Sequence, residues 1–204
     1  MNIILNKCLK ISQSIGKKGS DDFRTGLYIN NKISEEIMEL LEEIDILENN
    51  RTPGKDGVLG ETVDIFISCL DMYHLYYLPT KQDINNIHDF IKEDLSFNFE
   101  YNKKIISFFK HSNINTLEYA NKIFKSIGKC SRVIIEASLS IDNLSYKDYS
   151  LYRLFYELKL ILSLCINIFV LMSENEEPDS IEENFVNIAN KKLDKWVEKR
   201  NINI

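Results

Sequence analysis

The sequence has little glycine, little proline and no closely spaced pair of cysteines. Its 204 residues include only 7 glycines, 3 prolines and 4 cysteines. So few breaking residues favour long helices over the many turns of a β protein. Without a CxxC pair, a zinc site of cysteines is not expected. The cysteines stand far apart and are predicted to be buried, reduced thiols: Cys8, Cys69, Cys130 and Cys165.

The sequence also lacks a long hydrophobic run and an excess of basic residues. The apolar run in residues 1–10 is too short for a secretory signal, and Leu160–Met172 is shorter than the roughly 20 residues that a bilayer requires. Acidic side chains outnumber basic ones by 31 to 25, a net charge of −6. A negative chain has no general attraction for nucleic acid or anionic lipid. We therefore expect a cytoplasmic protein with neither nucleic acid nor a membrane as partner.

What the sequence does have is apolar residues at helical spacing. Ile33, Ile37, Leu40 and Ile44 predict a helix over 33–48, between turn-like segments at Gly16–Asn31 and Asn49–Gly60. A second predicted helix covers 61–78 and stops at Pro79. Further helices are predicted over 81–95, 101–111, 116–142 and 147–173. Ser180 and Glu183 form a predicted capping box that opens a last helix to Arg200. No segment predicts a strand, so the fold class is all-α, a helical bundle.

The two halves of the chain share a weak internal repeat. Residues 10–17 recur as residues 122–129, and Glu61–Cys69 corresponds to Glu157–Cys165. This predicts two units, 1–112 and 113–204, packed as one tandem pseudo-dimer with a degenerate second copy. In this alignment Leu160 replaces Asp64 and Val133 replaces Glu36. Chance similarity between helices rich in Ile, Lys and Ser is the alternative.

Two acidic pairs carry the chemical information. Glu36 and Glu39, and likewise Glu61 and Asp64, stand three residues apart, so each pair lies on one helical face. The second helix is apolar on almost every other side, which predicts that its acidic stripe lines an internal site. Four carboxylates in one pocket repel each other unless a hard divalent cation binds them. Since Mg²⁺ commonly shares its ligands with substrate phosphates, a polyphosphate ligand is expected.

The spacing resembles a known signature. Glu36-x-x-Glu39, a turn-rich insert and Glu61-x-x-Asp64 are similar to the ExxE and ExxD motifs of the MazG-like all-α nucleoside triphosphate pyrophosphohydrolases, which are related to the dimeric dUTPases. The resemblance implies a MazG-like bundle that binds Mg²⁺, with Mn²⁺ as a substitute, through these four acids. It also implies hydrolysis of a nucleoside triphosphate to the monophosphate and pyrophosphate. Glu39 and Glu36 are the implied catalytic residues, with Glu39 preferred as the base for the attacking water.

Substrate contacts are expected from residues outside the acidic pairs. Lys55 lies in the loop between the two acidic helices, and Arg24 precedes the first. Asn190 and Lys192 resemble the family's carboxyl-terminal Asn and Lys, which close over the nucleotide. Asp71, two turns beyond Asp64, is expected to contact a lysine or the water on the metal. The Trp and Phe-His pair that hold the base in some relatives are missing here, so base identity is not implied.

Two other functions fit the same helices. One is a catalytically inactive interaction or regulatory protein that retains the bundle. The other is a divalent-metal-binding bundle without nucleotide chemistry, which requires more inward carboxylate–histidine pairs than the sequence offers. The presence of all four acids favours the enzyme, because a purely structural bundle would not need Asp64 on a buried helix. The oligomeric state is expected to be a pseudo-dimeric monomer or a homodimer.

Overall fold

A computed structural model describes residues 1–17, 25–77, 97–108, 115–139 and 144–202. These ranges contain seven α-helices and no strand, which confirms the all-α prediction. In chain order the helices are α1 (Asn2–Lys17), α2 (Gly26–Glu48), α3 (Gly57–Tyr77), α4 (Phe99–Phe108), α5 (Thr116–Leu139), α6 (Leu144–Met172) and α7 (Pro178–Arg200). The helix predicted over 81–95 lies outside the described residues.

Helix α2 begins earlier than its apolar pattern indicated. The prediction of turn-like sequence as far as Asn31 is wrong, because the helix is continuous from Gly26. Thr25 caps it, and its side chain accepts a hydrogen bond from the backbone N–H of Tyr28 at 3.1 Å. Gly26 packs so closely on α3 that a Cβ there would lie 1.8 Å from the Tyr76 hydroxyl oxygen. A glycine that looks like a breaker is therefore a point of close helix contact.

Helix α7 also begins earlier than predicted. Its first residue is Pro178, with Glu177 at the N-cap, so the capping box at Ser180 and Glu183 is wrong. The Ser180 hydroxyl donates instead to a Glu176 carboxylate oxygen at 3.3 Å. Proline fits the first helical position because its missing N–H is not needed there and its φ is already helical.

Four helices form the centre of the molecule. Within the described residues, α2 packs on α3, α3 on α6, α6 on α5, and α5 on α2, which closes a ring of helix contacts. Helices α1 and α7 cover α3, while α4 packs against α6 and α7. As predicted, α3 is buried on nearly every side, at Val63, Ile65, Phe66, Ile67, Cys69, Leu70, Met72 and Tyr73. The division of the chain at residue 112 stays a prediction.

Helix α6 contains the most apolar segment of the chain. In the described part of the protein, Tyr149–Met172 is the one helical stretch long and apolar enough to cross a membrane by length and composition. Most of that stretch is buried inside the protein, since α6 contacts α3, α4, α5 and α7. A core helix has the same composition as a membrane span. The expectation of no membrane partner stays a prediction.

Four phenylalanines fix the position of α7. The Phe185 ring meets the edges of Phe66 from α3 and Phe169 from α6, each at a centroid distance of 5.0 Å. Phe99 of α4 lies 5.5 Å from the same ring. Aromatic pairs of this geometry add to the free energy gained from burial. Two turns after Phe185 on the same side of α7 is Lys192, which the packing therefore directs toward α3.

All four cysteines are buried thiols outside any disulfide, as predicted. Cys8 lies on α1, Cys69 on α3, Cys130 on α5 and Cys165 on α6. Burial raises the pKa of the Cys130 thiol to about 12 and raises the pKa values of Cys69 and Cys165 as well. These thiols behave as small apolar core residues rather than as nucleophiles.

Candidate metal centre

Helices α2 and α3 bring the four predicted acids together. One carboxylate oxygen each from Glu36, Glu39 and Glu61 lie within 4.8 Å of one another. A second group, with the same spread, consists of Glu61, Asp64 and Asp56. Glu61 belongs to both groups and therefore joins them into one cluster of five carboxylates, which we call the acidic cluster.

Asp56 is a member of the acidic cluster that the sequence analysis missed. It directly precedes α3, and its backbone carbonyl accepts a hydrogen bond from Gly60 N–H at 3.1 Å. Gly57, with φ of +59°, turns the chain into the helix in a conformation that favours glycine. Asp56 stands eight residues before Asp64 but precedes the helix and lies among turn residues, so no local pattern marks it as a member of the acidic cluster.

The acids of the cluster differ in exposure. Glu61 is only 8% exposed, Glu36 and Asp64 are partly buried, and Glu39 is exposed. Glu39 therefore lies at the solvent side of the cluster, while Glu61 lies at its base. This gradient arises because Glu61 is on the buried helix α3 and Glu39 is on the outer part of α2.

Burial and mutual repulsion raise the pKa values within the acidic cluster. Burial is the main cause that raises the pKa of Glu36 to about 7, and the charges of Asp64 and Glu39 add to it. Burial likewise raises the pKa of Glu61 to about 7, assisted by Asp64, Glu39 and Glu36 and opposed by Lys192. The pKa of Asp64 is also raised, because burial outweighs its hydrogen bond from Lys192. The cluster carries more negative charge than its surroundings compensate.

Lys192 supplies a buried positive charge at one end of the acidic cluster. It is 7% exposed, and its ammonium donates to Asp64 and, at 3.0 Å, to Asp56. Burial disfavours this ammonium, but the hydrogen bonds and charges of the two aspartates offset it and raise the Lys192 pKa. The same hydrogen bond is the main cause that lowers the pKa of Asp56. Lys192 therefore remains charged.

The other predicted residues lie in three different places. Lys55 is exposed in the loop next to Asp56, and its charge helps to lower the pKa of Asp56. Asn190 faces α1, where its side-chain oxygen lies 3.5 Å from the Lys7 ammonium. Asp71 is buried and accepts a hydrogen bond from the Ser12 hydroxyl. Arg24 lies outside the described residues. Of the described residues predicted to contact substrate, Lys192 is the one that contacts the acidic cluster.

The loop between α2 and α3 is attached to α2 by a carboxylate. Glu43 accepts the backbone N–H of Gly54 on both of its oxygens, at 2.9 and 3.0 Å. A Cβ at Gly54 would lie 2.1 Å from a Glu43 oxygen, so a larger residue there would displace the Glu43 carboxylate. In the same loop, Arg51 pairs with Asp45 at the surface. These contacts fix the start of α3 relative to α2, and with it the distance between the two acidic pairs.

The donor set of the acidic cluster fits a hard divalent cation. All its ligand atoms are carboxylate oxygens, which Mg²⁺ and Mn²⁺ prefer over the nitrogen and sulfur ligands typical of zinc. Two of these carboxyls have a pKa of about 7, so a cation would replace protons that the buried acids otherwise retain. The residues present therefore fit the metal that the sequence resemblance implied.

Comparisons with known proteins add nothing to the resemblance, which rests on the sequence motifs alone. No protein-family model matches the chain, and no curated protein and no solved structure gives a significant match.

Proposed function

We propose that this protein is a Mg²⁺-dependent nucleoside triphosphate pyrophosphohydrolase that acts through the acidic cluster. The observation that carries the proposal is the convergence of Glu36, Glu39, Glu61 and Asp64. These acids come from an ExxE pair on α2 and an ExxD pair on α3, and Glu61 lies within 4.8 Å of Glu36 and Glu39 in one group and of Asp64 in the other. That is the arrangement that the MazG-like motif resemblance implies. It also places carboxylates on a buried helix, where they are unfavourable unless a cation binds them and where a purely structural role does not require them.

In this proposal the acidic cluster holds Mg²⁺, or Mn²⁺ in its place. The cation would lower the pKa of water and neutralise charge on the phosphates. Glu39, at the exposed edge, is the residue placed to accept a proton from the attacking water, with Glu36 one turn before it. The products would be a nucleoside monophosphate and pyrophosphate.

The proposal extends to a MazG-like bundle built from a tandem repeat. The closed ring of contacts among α2, α3, α5 and α6 supports it, because two helix pairs of similar order pack against each other. One chain would then provide the four central helices that simpler relatives assemble as dimers. We propose a monomer of this kind in the cytoplasm, with a homodimer as the alternative and with nucleotide rather than nucleic acid or membrane as partner.

The test is an assay of pyrophosphate release from ribo- and deoxyribonucleoside triphosphates in the presence of Mg²⁺. We expect at least one nucleotide to yield pyrophosphate, and Glu39→Gln to lower its kcat by about a hundredfold or more. Glu42→Gln is the matched control, because Glu42 is also an exposed glutamate of α2 but is not a member of the acidic cluster. Orthophosphate as the product, or full activity in Glu39→Gln, would contradict the mechanism.

One observation favours a second candidate, a helical interaction or regulatory protein without turnover. The buried ammonium of Lys192 already balances part of the acidic cluster, through Asp56 and Asp64. A bundle could use this cation to stabilise the two helices against α7 without any nucleotide. Failure of every nucleotide in the assay, with the protein folded, would select this candidate.

A further inference from the structure

The two carboxylate groups of the acidic cluster differ in the cation that accompanies them. Asp56 and Asp64 both accept hydrogen bonds from the buried ammonium of Lys192. Among the described residues, the cation nearest to the other group is Lys32 at its margin, which lies 3.9 Å from Glu36, is half exposed and pairs more closely, at 2.6 Å, with Glu35. The buried positive charge of Lys192 therefore contacts the Asp56 and Asp64 end of the acidic cluster.

We propose that Lys192 is a built-in second cation of the metal centre. Asp56 and Asp64 anchor its ammonium, so the protein binds one divalent ion, in the group formed by Glu36, Glu39 and Glu61. This inference rests on the proposed function in one respect: it takes the acidic cluster to be a metal site. It assigns Asp56 a role as the anchor of Lys192 and makes the metal stoichiometry a property of α7.

The packing around Lys192 keeps its ammonium in place. Ala189 and Leu193 on either side of it in sequence are fully buried, so the Lys192 stem is held in the core. The Lys192 side chain approaches α3 at Gly60. A Cβ on Gly60 would lie 3.5 Å from the ammonium nitrogen and 2.7 Å from the Asp56 Cβ. Glycine at this position leaves the space in which Asp56 and Lys192 meet.

The energetics favour one divalent ion rather than two. A second ion at Asp56 and Asp64 would have to displace the ammonium, which would leave a buried charge without its partners. Separating a buried ion pair in this way is strongly unfavourable. Without displacement, the ion would share two carboxylates with a positive charge in direct contact with both, and like charges so close repel strongly.

The stoichiometry of Mn²⁺ binding, without nucleotide, tests this proposal. Titration followed by the electron paramagnetic resonance signal of free Mn²⁺ should give one bound ion per wild-type chain. Lys192→Met, which keeps the length of the stem and removes the charge, should bind two. Lys192→Arg is the matched control and should bind one. Two ions in the wild type, or one in a folded Lys192→Met variant, would overturn the proposal.

A second pair of variants keeps the proposal testable if Lys192→Met fails to fold. Asp56→Asn should retain one Mn²⁺ and weaken its binding less than Glu39→Gln does, because Asp56 binds the ammonium and not the ion. Glu39→Gln should weaken the same binding by about tenfold or more. A tenfold loss in Asp56→Asn would place the ion at the wrong end of the cluster and overturn the proposal.

These outcomes separate the inference from the proposed function. One bound Mn²⁺ without pyrophosphate release from any nucleotide would contradict the pyrophosphohydrolase and leave Lys192 as the second cation. Pyrophosphate release with two ions bound in the wild type would support the pyrophosphohydrolase and contradict the role of Lys192 as the second cation.

Discussion

The helix pairs α2–α3 and α5–α6 balance their carboxylates in different ways. In the second pair, Glu136 contacts Arg132 at 2.6 Å and Arg153 at 3.3 Å, and Glu157 contacts Lys129 at 3.0 Å. In the internal alignment these two glutamates correspond to Glu39 and Glu61. The second pair thus has three basic partners for these two acids, whereas the acidic cluster has five carboxylates, with the buried ammonium of Lys192 on two of them and Lys32 at 3.9 Å from Glu36.

Under the proposed function, this difference indicates which half binds a cation from solution. A carboxylate paired with an arginine or lysine of the same chain has a positive partner as soon as the chain folds. Under the proposed function, carboxylates that repel one another and retain protons gain a positive partner when an added ion binds them. At the aligned positions the second half has Val133 and Leu160 where the first half has Glu36 and Asp64. Its two aligned acids, Glu136 and Glu157, have bases beside them.

The largest expected effect comes from replacing the corresponding glutamates of the two halves. We expect Glu61→Gln to lower pyrophosphate release by at least about a hundredfold, because it removes the carboxylate shared by both groups of the acidic cluster. Glu157→Gln should change activity by less than about twofold. Both glutamates are 8% exposed, so any general effect of changing a buried acid should be similar in the two variants.

Thermal unfolding of the same two variants provides the control for that comparison. If Glu157→Gln unfolded at a similar temperature to Glu61→Gln yet lost as much activity, the contrast between the halves would be wrong.

A smaller effect is expected from the pH dependence of stability. The folded-state pKa of Glu36 and of Glu61 is raised from 4.5 to about 7, so without metal these groups stabilise the folded state below pH 4.5 and lose that contribution as the pH rises through 7. Metal binding removes their protons, so Mg²⁺ should stabilise the protein most above pH 7. At a hundred times its Kd, Mg²⁺ contributes about 2.7 kcal/mol, or about 5–10 °C in Tm at this chain length.

The measurement is the increase in Tm on adding a fixed Mg²⁺ concentration at pH 8 and at pH 5.5. We expect the increase to be much larger at pH 8 and to survive Glu136→Gln in the second half. Equal increases at both pH values would show that Glu36 and Glu61 release no protons when the metal binds.

The smallest effect is expected at the surface of the second half. Arg132, with a side chain 76% exposed, pairs with Glu136 four residues later on α5. Exposed pairs of this spacing contribute less than about 1 kcal/mol, and Glu136 keeps Arg153 when Arg132 is removed. Urea unfolding of Arg132→Gln should therefore show a loss below that value, with no change in pyrophosphate release. A loss of several kcal/mol would mean that the second half depends on its basic residues as a unit.

Sequence periodicity predicted the helices and the meeting of the two acidic pairs for a physical reason. Residues three apart share a helix face whatever the tertiary structure, and the apolar remainder of α3 required that its acidic stripe face the interior. Glu36 and Glu61 were thus predictable as neighbours from two local patterns and a short loop.

The features that could not be predicted depend on contacts between distant segments. Helix α7 carries several polar and basic residues, and the packing of Phe185 on α3 and α6 decides that Lys192, rather than Asn190, reaches the acidic cluster. Asp56 lies among turn residues and gains its role from a lysine 136 positions away. Neither fact is present in any local window of the sequence.

The four buried cysteines are distributed so that their labelling can report local unfolding in different helices. One thiol lies on each of α1, α3, α5 and α6, so each half of the chain contains two. A thiol-specific reagent reaches a buried cysteine only after the surrounding structure opens, and such opening occurs in cooperative units of different stability. Labelling followed by peptide mass spectrometry would therefore report the opening of α1, α3, α5 and α6 separately, without any substitution in the protein.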